Sequence, residues 1–574
     1  MATLKPLALI ILLFISPLQS QNWPTIGGNN QHNGLTEMTA PTEVSSAYWT
    51  VTSSSSVFGN SIFTYGNKFV NSRVVFSPVY TAKVECRSLE DGSLIWDQQI
   101  SDSSIMYSVG FNDFAVYAHD YKTDSLYALN PVDGSVLWTT SEFMFGGKSG
   151  VLFACNGDPV VFGRRLDKFT GQTIWQYNYI VPVGPDAGYA MFNDTYYHWS
   201  GSIVTPKKVF ALDAETGLFK YESVELPGDG DQEIPLTIGA DGTIYIARDG
   251  GLLYALEDDG NAINIKWTYS PITSITGYLG SSKDGFVYLV DGGKVRRIDA
   301  AHGTVSDSSQ VNLVSGFLLK ITIDDDGKVI ICNAEAGGGK YYCFSSDLQT
   351  LFWELNVPYN YYCGASLGNE GVMVITGAGT QIKAYKYSGT RKPVADFYAD
   401  TTFIYQGTGL NFYDQSSYQP DSWLWTFPGA ETITSTEQNP QNIVYNTPGI
   451  YEVSLIATNS FGSDTLIKSC YIEVEQATDI SENKNSFDEL ILFQNYPNPF
   501  NPKTTISWQQ PRESKVTIKV FDILGNEVKT VLDEVLNSGF HQIEFDGNWL
   551  PSGIYFYQIY SENFNQIRKM VLLR

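Results

Sequence analysis

Between residues 84 and 355 one pattern returns seven times: VECRSLEDGSLIWDQ (84–98), LYALNPVDGSVLWTT (126–140), GRRLDKFTGQTIWQY (163–177), VFALDAETGLFKYES (209–223), LYALEDDGNAINIKW (253–267), VRRIDAAHGTVSDSS (295–309) and YYCFSSDLQTLFWEL (341–355). A short alternating strand leads into a polar turn. A glycine usually closes the turn, and a tryptophan or other bulky residue often follows four positions later. The turn positions are Gly92, Gly134, Gly171, Gly217, Gly260, Gly303 and Gln349, spaced 37 to 46 residues apart. A weaker copy ends at AYKYSGT (384–390). A period of this length marks a repeat architecture. Asp-Gly and Thr-Gly supply the positive φ of a tight turn, and the flanks alternate with the two-residue period of a strand. Further strands lie upstream of most copies, as in GADGTIYIAR (239–248) and SKDGFVYLVD (282–291). Four short strands per repeat make a propeller blade, which cannot bury its faces without its neighbours. Trp96, Trp138, Trp175, Trp267 and Trp353 are therefore expected to pack between blades, each burying roughly 150–250 Å².

The LxALDxxTGxxxW pattern resembles the tryptophan motif of the pyrroloquinoline-quinone-type propellers. The segment NWPTIGGNNQHNGLTEMTAP (22–41) resembles the lead-in to the first blade of that superfamily. Trp49 sits where an outer strand would end, so residues 45–51 are expected to complete the last blade and close the ring. That predicts an all-β chain with an eight-bladed propeller, seven blades being the alternative. Closure by a terminal strand removes open sheet edges.

The resemblance raises the question of chemistry. Quinone-dependent members of the superfamily bind cofactor and calcium at the ring centre beside an adjacent Cys-Cys pair, and no two cysteines are adjacent here. His32, His119, His198, His302 and His541 show no zinc-ligand spacing. No nucleophile elbow or phosphate loop is present. EAGGGK (335–340) reads as a hairpin turn, and neither it nor GAGTQI (377–382) leads into a helix that could cradle phosphate. Asp229, Asp231 and Glu233, or Asp324 and Asp326, could hold calcium, although neither cluster matches the EF-hand loop and both read first as solvated turns. No catalytic residue is nominated, and the cofactor stays open. The reading is a non-catalytic propeller that presents a face to a ligand or partner. A divergent quinoprotein-like or polysaccharide-active enzyme is the alternative.

Residues 391–475 change pattern. Alternation at Trp423-Trp425-Phe427 and Tyr451-Val453-Leu455-Ala457, with turns at Pro448-Gly449 and Phe461-Gly462, indicates a small β-sandwich. Pro393, Phe397, Phe412, Trp425, Phe427, Asn439-Pro440, Tyr445, Gly449-Ile450-Tyr451 and Asn459 resemble a PKD domain, an immunoglobulin-like extracellular module. Its common FGDG turn is replaced by FPGA (427–430). Trp425 is assigned to the core, whereas Trp423 and Tyr418 are candidates for touching a glycan.

Residues 476–489 are polar, acidic and linker-like. From 490 the chain alternates again, behind LFQNYPNPFNPKTTISW (492–508). Prolines 497, 499 and 502 cannot donate to a sheet and suit an edge strand. With VFDILGNEV, LPSGIYFYQI and RKMVLL, residues 490–574 resemble the type A C-terminal sorting domain of the type IX secretion system, a second immunoglobulin-like sandwich. The resemblance implies export through the periplasm and recognition by the outer-membrane secretion machinery. The product is then secreted or held at the outer surface of a Gram-negative bacterium.

The first 20 residues support that route. Lys5 precedes an apolar run from Leu7 to Ile15 that Pro17 breaks, the layout of a cleaved signal peptide and too short to span a bilayer. No later stretch suggests a transmembrane anchor, and the propeller is placed at 21–390. With 36 basic and 61 acidic residues the net charge is -25, which argues against nucleic acid as a partner. A glycan or a protein at the cell surface is the partner class left open. The six cysteines are scattered; Cys332 and Cys343 flank a turn that would place them opposite each other, as a disulfide or as two buried thiols.

Overall fold

In the computed structural model each repeat folds into a four-stranded antiparallel sheet. The structure describes residues 25, 28–52, 62–75, 81–101, 106–120, 122–141, 150–177, 188–200, 207–227, 236–247, 252–273, 275, 277–313, 320–333, 339–357, 364–378, 380–476, 491–492, 500, 502–510, 512, 514–522, 526–537, 539–561 and 564–572. The candidate signal peptide, the 476–489 linker apart from residue 476, Asp229, Asp231, Glu233, Cys363, Pro497 and Pro499 lie outside these. Among the described residues no helix is long and apolar enough to cross a membrane.

Eight sheets form the propeller. Blades 1 to 7 occupy 63–101, 106–140, 152–176, 189–222, 237–269, 280–308 and 321–357, and blade 8 occupies 365–386. In each blade the first strand is innermost and largely buried, as in Pro159–Val161 next to it and Ile321–Ile323, while the fourth is mostly exposed, as in Val136–Thr140. Blade 8 takes its fourth strand from the start of the chain. Trp49–Thr52 pairs antiparallel with Ala384 to Gln381, one to four residues later than the 45–51 expected. Thr64 Oγ1 donates to the Leu367 carbonyl at 3.0 Å and Ser366 Oγ to that of Ile62 at 2.7 Å, which joins blade 8 to blade 1.

The indoles form the joints. Trp96 Nε1 donates to the Pro131 carbonyl of blade 2, Trp138 to Lys168 of blade 3, Trp175 to Ala214 of blade 4 and Trp267 to Ala300 of blade 6, at 2.8–3.2 Å. Trp49 does the same to Leu89 of blade 1 at 2.9 Å. Each ring covers the turn glycine of the next blade so closely that a Cβ on Gly92, Gly134, Gly171, Gly217 or Gly303 would meet the ring within 3 Å. The glycine is thus needed twice, for its positive φ and for the indole above it.

Two joints differ. Blade 4 carries Tyr221 in place of tryptophan, and its hydroxyl donates to Asp258 of blade 5 at 2.8 Å. The blade 5 turn is lengthened, and nothing covers Gly260. Blade 6 carries Asp307, paired with Arg297 at 2.9 Å, and the facing turn of blade 7 has Gln349 at the glycine position and takes its positive φ, 61°, one residue earlier at Leu348. Where the indole is missing, the matching glycine is missing or displaced. In blade 7 the strands Val329–Asn333 and Gly339–Phe344 pair so that Cys332 faces Tyr341 and Cys343 faces Ile330. The hairpin is centred one residue earlier than Gly337-Gly338, so the two cysteines are not opposite each other.

The PKD region packs its core on Phe397, Phe412, Trp425, Phe427 and Tyr445, all fully buried. Its main sheet joins Phe403–Tyr405, Gly462–Glu475, Gly449–Asn459, Ser422–Thr426 and Thr434–Ser435. Propeller and PKD region lie in one compact unit, 1–477, and the remainder of the chain forms another. The C-terminal unit is a sandwich of a three-stranded sheet (Ile491–Leu492, Lys503–Gln510, Gly539–Asp546) and a four-stranded sheet (Ser514–Phe521, Glu527–Leu536, Gly553–Ser561, Phe564–Leu572). They close on Trp508, Ile518, Phe545, Tyr557 and Met570. Phe500 N–H donates to the Val571 carbonyl at 2.9 Å, and the Pro502 carbonyl accepts from Gly547 at 2.8 Å. Phe500, between the second and third prolines, is thereby held against the last strand, and Pro502 against the residue that follows the Gly539–Asp546 strand.

Candidate functional site

The first and second strands of a blade meet in a turn, and these turns share one face of the ring. Two pieces of chain cover that face. The first is the N-terminal segment 28–40, almost entirely buried. Its carbonyls accept from the inner strands in sequence around the ring. Asn30 accepts from Met191 N–H of blade 4, Gln31 from Ile238 of blade 5, Asn33 from Ser281 of blade 6 and Gly34 from Ile323 of blade 7, at 2.7–2.8 Å. Asn30 also exchanges side-chain bonds with the Phe153 backbone of blade 3 at 2.7 and 2.9 Å. These partners lie at or next to the ends of the inner strands of blades 3 to 7, so the segment runs as a buried plug along five of the eight blades on this face. Gly34 sits at φ 71°, and a Cβ there would stand 2.2 Å from the Ile321 carbonyl oxygen.

His32, in the middle of this plug, is wholly buried. Burial lowers its imidazole to about 4, and the Leu236 backbone opposes this weakly. A charged imidazolium is unfavourable in that dry site.

The second cover is the PKD domain, which stands on the turns of blades 1, 2, 3, 7 and 8. Arg391 pairs with Asp325 of blade 7, which Lys283 also holds at 2.9 Å. Burial alone would raise the Asp325 carboxyl, but the two cations keep it below the usual carboxylate range. Glu370 of blade 8 accepts from Tyr418 N–H at 2.8 Å and donates its own N–H to Ser417 Oγ at 3.0 Å. Tyr418 is buried, and its hydroxyl accepts from Thr39 N–H at 3.2 Å. This corrects the reading of Tyr418 as an exposed glycan contact: it ties the plug to the PKD domain. Trp423 is half-buried against the PKD core. Lys468 reaches Asp113 of blade 2 at 3.5 Å and Asp396 at 3.7 Å, with the Phe397 and Tyr471 rings 4.9 and 5.0 Å away. Burial would lower this ammonium, but Asp113, Tyr65, Tyr471 and Asp396 outweigh it and keep it charged.

Asp324 and Asp326, candidates for calcium, already share a lysine. Asp324 accepts from Ala40 N–H at 2.9 Å, from Lys328 N–H at 2.7 Å and from Lys328 Nζ at 3.0 Å; Asp326 takes the same ammonium at 2.7 Å. Lys328 stands where a cation would. Among the described residues no group of three His, Cys, Asp or Glu converges as a metal site.

Between the propeller and the PKD domain a cleft of about 500 Å³ remains, lined by Asp113, Phe114, Phe169, Tyr398, Thr402 and Tyr471 among others. Phe114 and Phe169 meet edge to face at 6.0 Å, and Lys168 Nζ lies 4.1 Å from the centre of the Phe114 ring. Phe169 is 54% exposed. On the facing wall Tyr398 stacks on Tyr413 at 5.0 Å. The Thr402 hydroxyl is itself buried with no hydrogen-bond partner, a cost to the fold. No lining residue is a histidine or cysteine, so the cleft offers ring faces, carboxylates and hydroxyls. That set suits holding a polar ligand.

Sequence reasoning missed the plug and the cleft. The one legible signal was Phe169: a large aromatic two residues before a turn glycine, where the other turns ending in glycine four residues ahead of the joint carry Glu90, Val132, Glu215 and Ala301.

The comparisons with known proteins agree with this division of the chain. Residues 494–573 match the secretion system C-terminal sorting domain, and residues 390–474 match the PKD domain. The chain is thus a propeller protein with a PKD domain and a type IX secretion sorting domain, addressed through the periplasm to the cell surface or beyond. Solved structures similar to it include BamB from Moraxella catarrhalis (13% identity, 59% of this chain and 98% of that one, TM-score 0.35) and the Dos1 propeller (11%, 59% and 94%, 0.43). A third is PorZ, a surface component of the type IX secretion system of Porphyromonas gingivalis (12%, 90% and 75%, 0.27). At these TM-scores the likeness adds nothing to the fold assignment, which rests on strand order. No curated protein matches the chain in sequence.

Proposed function

We propose that this is an exported, non-catalytic binding protein whose propeller and PKD domain together present a cleft for a surface glycan. The observation that carries the reading is the cleft. The exposed Phe169 ring on one wall, Tyr398 and Tyr471 on the other and the Asp113 and Asp400 carboxylates match a sugar's apolar faces and hydroxyls. The sorting domain supplies delivery and the acidic surface supplies solubility. The engagement of the secretion machinery belongs to the C-terminal unit and leaves the cleft to a different partner.

The test is a glycan array with the mature chain, followed by titration of the hits. Phe169→Ala should weaken binding roughly tenfold, the value of one ring stacked on a sugar face. A set of hits indifferent to Phe169→Ala, or binding only to proteins, would refute the glycan assignment.

A further inference from the structure

A β-bulge in the PKD domain and a turn of blade 3 bring two thiols together. In the long hairpin Tyr451 pairs with Ile472 and Val453 with Lys468, so residues 469–471 stand opposite the single residue Glu452. Cys470, at the centre of that bulge, has φ 51°. Cysteine has no intrinsic preference for the left-handed region, unlike glycine or asparagine. A bulge of this kind re-aims a side chain that the strand would otherwise place in register. Here it turns Cys470 toward Cys155 in the blade 3 turn, and the two free thiols interact.

Both sides of the contact are held in place. Two residues before Cys470, Lys468 is anchored on Asp113 of blade 2. Two residues after Cys155, the Gly157 carbonyl accepts from Asn112 Nδ2 at 3.1 Å, and the Phe114 ring lies over Gly157. Arg165, fixed by Asp158 at 2.9 Å and by Glu215, lies close enough to Cys470 to favour its thiolate. The interaction with Cys155 brings the Cys470 thiol down to about 7, and burial opposes this. A low-pKa thiol with a second cysteine in contact is the arrangement that oxidises readily. The export route of this chain crosses a compartment in which disulfides form and persist.

We propose that Cys155 and Cys470 are joined by a disulfide in the exported protein, fastening the PKD domain to blade 3. The oxidant is a disulfide-bearing thiol oxidant of that compartment. The Cys470 thiolate attacks one of its sulfurs, forms a mixed disulfide and expels the other sulfur as a thiolate, which takes up a proton. Cys155 then loses its proton and attacks the Cys470 sulfur. The protein S–S bond forms, and the second oxidant sulfur leaves as a thiol. Two thiol hydrogens and two electrons pass to the oxidant, which ends as a dithiol.

The test uses the full chain, reduced and then exposed to oxidised glutathione at neutral pH, with remaining thiols alkylated before digestion and mass spectrometry. The expected product is one cross-linked peptide pair carrying Cys155 and Cys470, two hydrogens lighter than its parts and split by dithiothreitol. Cys470→Ser should remove the pair and leave Cys155 alkylated. The oxidised chain should melt above the reduced one, and Cys155→Ser should abolish that difference. Both thiols remaining alkylatable, separate glutathione adducts on each, or either cysteine pairing elsewhere would overturn the proposal.

Discussion

The plug and the PKD domain cover the same face of the propeller by opposite means. The plug is held by backbone: its carbonyls take one inner-strand N–H after another around the ring, and its side chains add little charge. The PKD domain is held by side chains: Arg391 on Asp325, Lys468 between Asp113 and Asp396, Tyr418 on Glu370, and the cysteine contact. A contact made of backbone tolerates changes of side chain but not of chain path. A contact made of charge tolerates small shifts but answers to salt and to the loss of any one partner.

The sharpest way to break this contrast is at Gly34. Gly34→Val puts a branched side chain at positive φ against the Ile321 carbonyl. We expect a loss of about 4 kcal/mol or more in urea unfolding; a near-neutral result would mean that the plug is not seated as described. Next is acid. The folded-state pKa of His32 is depressed to about 4 from 6.5. Its contribution is therefore fully present above pH 6.5 and is lost as pH falls through 4, amounting to about 3 kcal/mol at full protonation. Stability measured from pH 7 to pH 4 should fall by that amount in the native chain and by clearly less in His32→Gln. The smallest effect is at the junction. Lys468→Met keeps the stem but leaves Asp113 and Asp396 without their cation. Asp113 is partly exposed, so about 2 kcal/mol is expected. That loss should shrink in high salt, whereas the Gly34 loss should not.

The residues that could be read from sequence are those whose partners recur at a fixed interval. The tryptophan and the next blade's glycine repeat about every 43 residues, which made the blades, and even the closing strand at Trp49, legible. The exceptions follow the same logic, since Tyr221 and Asp307 lack the indole and face turns that lack the glycine beneath it. The plug was not legible because its bonds around the ring join residues more than a hundred positions apart, and four of them run between backbone groups that every residue carries. The cleft failed for a related reason: Asp113 and Phe169 face Tyr398 and Thr402 across a domain boundary. Tyr418 was misread because exposure in an isolated sandwich says nothing about a surface that another domain covers. For Cys332 and Cys343, a shift of one residue in the hairpin centre was enough to part them.

Ring closure has a consequence for biogenesis. Residues 49–52 are synthesised before any blade, yet their partner strand, Gln381–Lys386, emerges more than 300 residues later. A nascent chain therefore carries an unpaired strand edge until the propeller is nearly complete, and pairing across so long a separation is intrinsically slow. Any truncation before residue 386 would leave that edge open, so release as a closed torus is itself a check that translation has passed the last blade.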